Sequence, residues 1–171
     1  MAVGVLESVC FRVIGWVERG LPKDPGETPS RYTYESIIRL MDDYSRGLEG
    51  LEEYSHAIIV YWLHEAREAR VKTRPWGDEG LPEVGVFATR SPNRPNPIGV
   101  TVVEIVGVEP PRLRVRGLDA WTGTPVLDVK PYDYYDVVKR PRVPWWFEKR
   151  WSRSYAEKRY DLLAPWLGPC G

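Results

Sequence analysis

The chain has 171 residues, a length that fits one domain with an adequate core. Its 24 lysines and arginines balance its 24 aspartates and glutamates, which excludes a global basic field and leaves any RNA contact to a local basic patch. Two cysteines exclude a disulfide scaffold, and no basic-then-apolar signal segment follows Met1, so we expect a soluble cytoplasmic protein.

The first third of the chain predicts short strands separated by a loop. Residues 11–17 read as a strand, and residues 21–30 hold three prolines and a glycine, which predict a loop. Residues 34–44 fit either a strand or a short helix. Residues 56–63 then predict a buried strand, too short to span a bilayer, that ends at His64.

Residues 89–99 form a proline-rich loop between two further predicted strands, 84–88 and 100–106. Its three prolines fix their own φ, lack an amide donor and push each preceding residue toward extended geometry. Neither a helix nor a central strand can include this segment. We therefore expect a stiff loop that joins two buried strands and loses little entropy when a ligand binds.

The same loop holds the only two asparagines of the chain, Asn93 and Asn96, and the chain has no glutamine. Such depletion of thermolabile amides is typical of a protein from a thermophile. Two retained amides then indicate hydrogen bonds that are needed, although asparagine is also a common turn residue. We favour the functional interpretation, because Asp or Ser could serve most turns and the chain uses both elsewhere. Arg90 and Arg94 in this loop can each donate paired hydrogen bonds to a carboxylate or phosphate.

Polar and apolar residues alternate over residues 112–118, which predicts a strand with one solvent-exposed face. Three arginines share that face: Arg112, Arg114 and Arg116. They form either a solvated surface or an RNA-facing stripe. A turn over residues 119–125 leads to a strand over residues 126–130. Many short strands with proline and glycine turns predict an all-β, mainly antiparallel barrel or sandwich.

The C-terminal tail, residues 139–171, is basic and aromatic. Phe147, Trp151 and Tyr155 recur every four residues, which is the spacing of one helix face. Pro144 suits the start of this helix and Pro165 its end. We expect the apolar face to pack on the main domain or at a dimer interface, while the basic face fits a contact with nucleic acid.

Residues 85–99, Gly-Val-Phe-Ala-Thr-Arg-Ser-Pro-Asn-Arg-Pro-Asn-Pro-Ile-Gly, resemble the signature of the TsaA-like (TrmO) family. The likeness extends to residues 46–56 and 118–132. Members of this family are S-adenosylmethionine-dependent tRNA methyltransferases that methylate N6 of threonylcarbamoyl-adenosine next to the anticodon. The resemblance implies a small single-sheeted β-barrel over residues 1–138, a homodimer, and tRNA as partner. We expect residues 139–171 to pack on the barrel as an amphipathic helical tail.

The resemblance also implies which residues contact the cofactor, S-adenosylmethionine. They are Lys23, Asp24, Pro25, His64, Glu65, Phe87, Thr89, Arg90, Ser91, Arg94, Asn96, Val100, Leu118, Asp119, Ala120 and Trp121. We expect Arg90 to hold the donor, Asp119 to bind its ribose hydroxyls or ammonium, and Trp121 to stack on adenine or narrow the pocket. Arg94 and Asn96 fit substrate or cross-subunit contacts as an alternative.

Methyl transfer requires that donor and nucleophile be held at short range, and an acceptor must take the proton of the attacking nitrogen. Residues 128–132 loosely resemble the Pro-Tyr motifs of other amino-methyltransferases. We expect Asp128 or a main-chain carbonyl to accept the N6 proton, Tyr132 to stack on the base, and Lys130 to meet phosphate or the threonyl carboxylate. Alternatively, Pro131 only ends a strand and Asp128 pairs with Lys130.

Two other functions stay open from the sequence. One is a non-catalytic barrel that binds S-adenosylmethionine or RNA, and the other is a methyltransferase that acts on a small molecule. The bacterial family members carry a longer C-terminal region than this chain, so the sequence does not predict how this chain binds tRNA. His56 and His64 are the only histidines and no cysteine pair is close in sequence, so we expect neither a metal site nor a membrane partner.

Overall fold

The computed structural model describes residues 8–23, 30–138 and 141–150. Its strands are β1 (Gly15–Arg19), β2 (Glu35–Leu40), β3 (His56–Trp62), β4 (Lys72–Thr73), β5 (Val84–Gly85), β6 (Ile98–Glu109), β7 (Arg112–Arg116) and β8 (Pro125–Pro131). Six of them close into an antiparallel barrel in the order β1-β2-β7-β6-β3-β8, with β8 returning to β1. The all-β barrel is therefore confirmed, and the sandwich is excluded.

Alternation along the strands fills the barrel with aliphatic side chains. In β3, Ala57, Ile59 and Tyr61 are buried, while their neighbours point to the outer surface. In β7, Leu113 and Val115 point inward in the same way. Each such aliphatic side chain contributes about 1.5–3 kcal/mol when it leaves water. The barrel interior is therefore a packed core, and ligand sites belong at its ends or on its outer surface.

The strand predicted over residues 84–88 is wrong for most of its length. β5 covers only Val84–Gly85 and pairs with β4 in a separate two-stranded sheet outside the barrel. Residues Val86–Ala88 form a 3-10 turn instead, closed by hydrogen bonds from the backbone and hydroxyl of Thr89 to the Val86 carbonyl. The proline-rich loop thus joins a peripheral hairpin to β6 rather than joining two barrel strands.

Residues 34–44, which fit either a strand or a helix, contain both. They hold β2 and the start of a 3-10 segment over Asp42–Leu48. The C-terminal tail is helical over residues 145–150, directly after Pro144 as predicted, and the rest of its predicted helix, with Trp151, Tyr155 and Pro165, lies outside the described residues. None of the helices that the structure describes is long and apolar enough to cross a membrane.

Gly99 leaves room for the ring of Tyr61. The two residues are paired across β3 and β6, and both are buried. A Cβ atom placed on Gly99 would lie 2.2 Å from Cε2 of Tyr61, far inside van der Waals contact. The glycine that ends the family signature therefore has a packing role, because any side chain there would displace the tyrosine ring.

We predict that Gly99→Ala destabilises the protein by about 1–3 kcal/mol, the usual cost of forcing extra volume into a packed core. Gly47→Ala is the matched control, because a Cβ atom there meets nothing within 4 Å. Urea unfolding of both variants measures the difference. Equal free energies of unfolding for Gly99→Ala and the unsubstituted protein would contradict the packing role.

Candidate functional site

One end of the barrel gathers segments that are distant in sequence. The amide of Leu21, which follows β1, donates to the Ala120 carbonyl at 2.9 Å. The amide of Leu63, which follows β3, donates to the Pro97 carbonyl at 2.7 Å, at the end of the proline-rich loop. The end of β1, the end of β3, the loop and residues 118–121 therefore meet at this end of the barrel.

A buried tyrosine hydroxyl fixes the turn at residues 118–121. Tyr61 Oη donates to the Asp119 carbonyl oxygen at 2.8 Å and lies 3.0 Å from Thr101 Oγ1. Because the phenol has one proton and a carbonyl can only accept, the Thr101 hydroxyl must donate to Tyr61. Burial raises the pKa of Tyr61, so the hydroxyl remains a donor at neutral pH.

Asp119 is held from the other side by Arg31, a residue that the sequence analysis did not identify. Arg31 Nη1 lies 3.0 Å from Asp119 Oδ2, and its Nη2 donates to the Tyr32 hydroxyl at 2.8 Å. The Arg31 carbonyl also accepts the Gly117 amide at 2.9 Å. Both the main chain and the exposed carboxylate of Asp119 are therefore positioned before any ligand binds.

Four predicted residues complete this site beside the turn. Lys23 contacts the carboxylate of Glu65, and its Nζ lies 5.8 Å from the centroid of the Trp121 ring. His64 Nε2 lies 3.5 Å from Glu65 Oε1. The hydrogen bond from Lys23 lowers the pKa of Glu65, which keeps that carboxylate charged. We call Lys23, Arg31, His64, Glu65, Asp119 and Trp121 the turn cluster.

The remaining predicted residues around the turn have different surroundings. Leu118 and Ala120 are buried, so their side chains support the turn from the core. Asp24 and Pro25 lie outside the described residues. Val100 is exposed on the outer surface of β6, because inward Gly99 and Thr101 flank it.

The proline-rich loop is held together by its own side chains. Arg94 Nη2 donates to the carbonyls of Val86 and Thr89, both at 3.2 Å. The Ser91 amide donates to the Thr89 hydroxyl at 3.2 Å. Arg94, Thr89 and Ser91 therefore have structural contacts within the loop, and at least part of the Arg94 guanidinium is already in use.

Phe87, Arg90 and Asn96 are the predicted cofactor residues of this segment whose side chains are exposed. The side chains of Asn93 and Asn96 form no hydrogen bond with the part of the chain that the structure describes. Phe87, at the start of the loop, is 80% exposed. The loop thus presents one cation, two amides and one aromatic ring.

Two of the predicted catalytic residues, Asp128 and Lys130, lie on β8, and the third, Tyr132, directly follows this strand. Lys130 Nζ lies 2.6 Å from Asp128 Oδ2, so the pairing considered as the alternative is present in the structure. The Val129 amide donates to Asp128 Oδ1 at 3.0 Å. The hydrogen bond from Lys130 to Asp128 raises the pKa of Lys130. Asp128 also borders a cleft of about 350 Å³ against the 3-10 segment that contains Tyr44.

The structure does not bring Tyr132 to the turn cluster within one chain. The Tyr132 amide donates to the His56 carbonyl at 3.1 Å, at the start of β3, whereas His64 follows the end of β3. Eight residues of extended chain separate these ends by roughly 26 Å. Asp128 lies between them, opposite Val60. The three predicted catalytic residues therefore extend away from the predicted donor site.

Ion pairs neutralise the arginines of β7. Arg112 Nε lies 2.7 Å from Glu18, and the hydrogen bond between them lowers the pKa of Glu18. Arg114 pairs with Glu109 at 3.1 Å, and Arg116 pairs with Glu104 at 3.5 Å. Each of these arginines therefore has an acidic partner. This favours the solvated surface.

Three apolar side chains form an exposed face on two neighbouring strands. Trp62 of β3 is 45% exposed, and Val100 and Val102 of β6 are 49% and 46% exposed. Register places Val60 opposite Val100 on one side and opposite Asp128 on the other. We call Trp62, Val100 and Val102 the outer apolar face. Within the described ranges, no group of three or more acidic, histidine or cysteine side chains is arranged to hold a metal.

Comparisons with known proteins identify relatives of this chain. Residues 16–137 match the family model described as tRNA-methyltransferase O N-terminal domain. A probable S-adenosyl-L-methionine-binding protein of Pyrococcus abyssi is 38% identical over 141 residues, which is 80% of this chain and 76% of that protein. Human tRNA (adenine(37)-N6)-methyltransferase is 38% identical over 133 residues, which is 76% of this chain and 29% of the human protein.

A solved structure shows the same fold. The crystal structure of TrmO from Pseudomonas aeruginosa superposes with a TM-score of 0.66 and 32% sequence identity over 84% of this chain. The match spans 63% of the length of that bacterial protein. The chain therefore belongs to the family of tRNA-methyltransferase O N-terminal domains.

Proposed function

We propose that this protein transfers a methyl group from S-adenosylmethionine to N6 of threonylcarbamoyl-adenosine in tRNA. The turn cluster is the observation that carries the proposal, because it collects residues that are distant in sequence into one preformed polar site. The names of the relatives support the donor and the class of nucleic acid. The threonylcarbamoyl group is the finer part of the proposal and rests on the family resemblance.

The turn cluster fits the chemistry of the donor. S-adenosylmethionine carries an adenine, a ribose diol, an ammonium and a carboxylate. Trp121 offers an aromatic ring, Asp119 and Glu65 offer carboxylates for the diol and ammonium, and Arg90 offers a guanidinium for the carboxylate. Because Tyr61 and Arg31 hold Asp119 in advance, binding costs little ordering entropy.

Asp128 is our candidate for the proton acceptor. In the reaction, N6 attacks the donor methyl carbon, the carbon–sulfur bond breaks, and the N6 proton passes to a base. Asp128 is half-buried at the border of the cleft, and Lys130 beside it keeps its positive charge because its pKa is raised. We infer that Lys130 binds the threonyl carboxylate or a phosphate, and that Tyr132 contacts a more distant part of the RNA.

The outer apolar face supports a homodimer. Large side chains that remain half-exposed on adjacent strands are typical of a surface that another protein covers. Asp128 and Lys130 lie on the same outer surface of the barrel as Val100, and strand β3 lies between them and Val100. We infer that a second copy bound here brings its own turn cluster toward Asp128. The dimer would then place close together the two groups that a single chain keeps apart.

A second candidate function is a barrel that binds S-adenosylmethionine without catalysing methyl transfer. The ion pair between Asp128 and Lys130 favours it, because this carboxylate already has a partner within the chain. Several relatives are themselves named only as S-adenosyl-L-methionine-binding proteins. Turnover on tRNA distinguishes the two functions.

We predict that the protein adds one methyl group to threonylcarbamoyl-adenosine in tRNA, detected by mass spectrometry of digested nucleosides. Asp128→Ala is expected to lower kcat by about 10²–10⁴-fold, the usual effect of losing a general base, with donor affinity in calorimetry unchanged. Asp42→Ala, an exposed aspartate, is the matched control. Donor binding without any methylation would favour the second function, and full activity of Asp128→Ala would exclude this role for Asp128.

We also predict that Val102→Asp converts a dimer into monomers, because it places an unpaired charge in the outer apolar face. Val71→Asp is the control, since Val71 is exposed elsewhere on the surface. Light scattering after size-exclusion chromatography measures the molar mass. A Val102→Asp variant that keeps the dimer mass would show that the face is not the interface.

A further inference from the structure

We propose that a patch of tryptophans and cations outside the barrel binds an unpaired base of the tRNA and its adjacent phosphate. The patch consists of Trp76, Trp145, Lys149 and Arg150, and we call it the tryptophan patch. It joins the short segment between β4 and β5 to the start of the C-terminal helix. The inference rests on the proposed function, and it concerns how the RNA is held rather than how the methyl group is transferred.

Trp76 is the central residue of the patch. It is 53% exposed, although Trp146 and Phe147 pack against it at ring-centroid distances of 5.8 and 6.2 Å. Its backbone has φ of 54°, a left-handed conformation that bulky side chains rarely adopt. A tryptophan at a position that suits glycine indicates that its side chain is needed there.

Cations lie over the exposed rings. The Arg150 guanidinium lies 5.3 Å from the centroid of Trp76, and Lys149 Nζ lies 6.0 Å from the centroid of Trp145. A cleft of about 240 Å³ opens beside them, lined by Asp78, Gly80 and Leu81 and by the helix residues Trp146, Lys149 and Arg150. The Asp78 carboxylate in this cleft already accepts the Gly80 amide at 2.9 Å.

The distribution of charge favours RNA over a protein as the occupant. The chain has no net charge, and each arginine of β7 is neutralised by a glutamate. Lys149 and Arg150, by contrast, form no ion pair with any described residue. Cations without acidic partners next to exposed aromatic rings are the combination that binds single-stranded nucleic acid, because bases stack on the rings and phosphates meet the cations.

The test measures tRNA binding and methylation by the full chain carrying Trp76→Leu or Arg150→Gln. We expect Trp76→Leu to weaken tRNA binding, and to raise KM for tRNA, by about tenfold, the scale of one lost base stack. We expect Arg150→Gln to reduce the slope of log affinity against log salt by about one. Neither variant is expected to change kcat or the affinity for S-adenosylmethionine.

Tyr135→Ala is the matched control, because Tyr135 is an exposed aromatic residue that belongs to the 3-10 turn after β8 and not to the tryptophan patch. Circular dichroism checks that each variant is folded. If Trp76→Leu is not folded, Arg150→Gln alone tests the proposal. Unchanged tRNA affinity in both variants would overturn the proposal, and a change of molar mass instead would identify a protein interface. If the unsubstituted protein binds tRNA through Trp76 but never methylates it, the proposed function fails while this inference stands.

Discussion

The hydrogen bond from the buried Tyr61 hydroxyl to the Asp119 carbonyl connects the core of this protein to its proposed donor site. The Tyr61 ring lies inside the barrel, against the space that Gly99 leaves open, and Thr101 of β6 donates to its oxygen. A surface turn is thereby fixed to two core strands. Arg31 then holds the carboxylate of Asp119 at 3.0 Å, so the turn presents its acid in one orientation.

Charge is distributed unevenly over a chain whose net charge is zero. The barrel wall pairs its arginines with glutamates, whereas the exposed cations of the proline-rich loop and of the tail helix have no acidic partner among the described residues. Arg90 is suited to the carboxylate of a small donor, and Lys149 and Arg150 are suited to phosphates. An electrically neutral protein can therefore present separate cations to a carboxylate and to phosphates, because such contacts depend on local cations and not on the total charge.

The sequence predicts barrel strands such as β3 and β7 well, because buried and exposed residues alternate along them. Turn residues also mark where these strands begin and end. It failed at residues 84–88, where an apolar run forms a 3-10 turn, since its short partner β4 cannot extend a sheet. Arg31 and Tyr61 were missed because their partner, Asp119, is 88 and 58 residues away in sequence. The separation of Tyr132 from the turn cluster depends on the register between strands, and this register cannot be predicted from a sequence motif.

The most direct measurement is the affinity of Tyr61→Phe for S-adenosylmethionine by calorimetry, compared with Thr101→Val. Tyr61→Phe keeps the ring but leaves the Asp119 carbonyl without its donor, whereas Thr101→Val leaves that bond in place. If the tyrosine hydroxyl positions the donor site, Tyr61→Phe weakens donor binding by about tenfold, equivalent to about 1.4 kcal/mol, and Thr101→Val weakens it much less. Unchanged donor affinity in folded Tyr61→Phe would contradict the central claim.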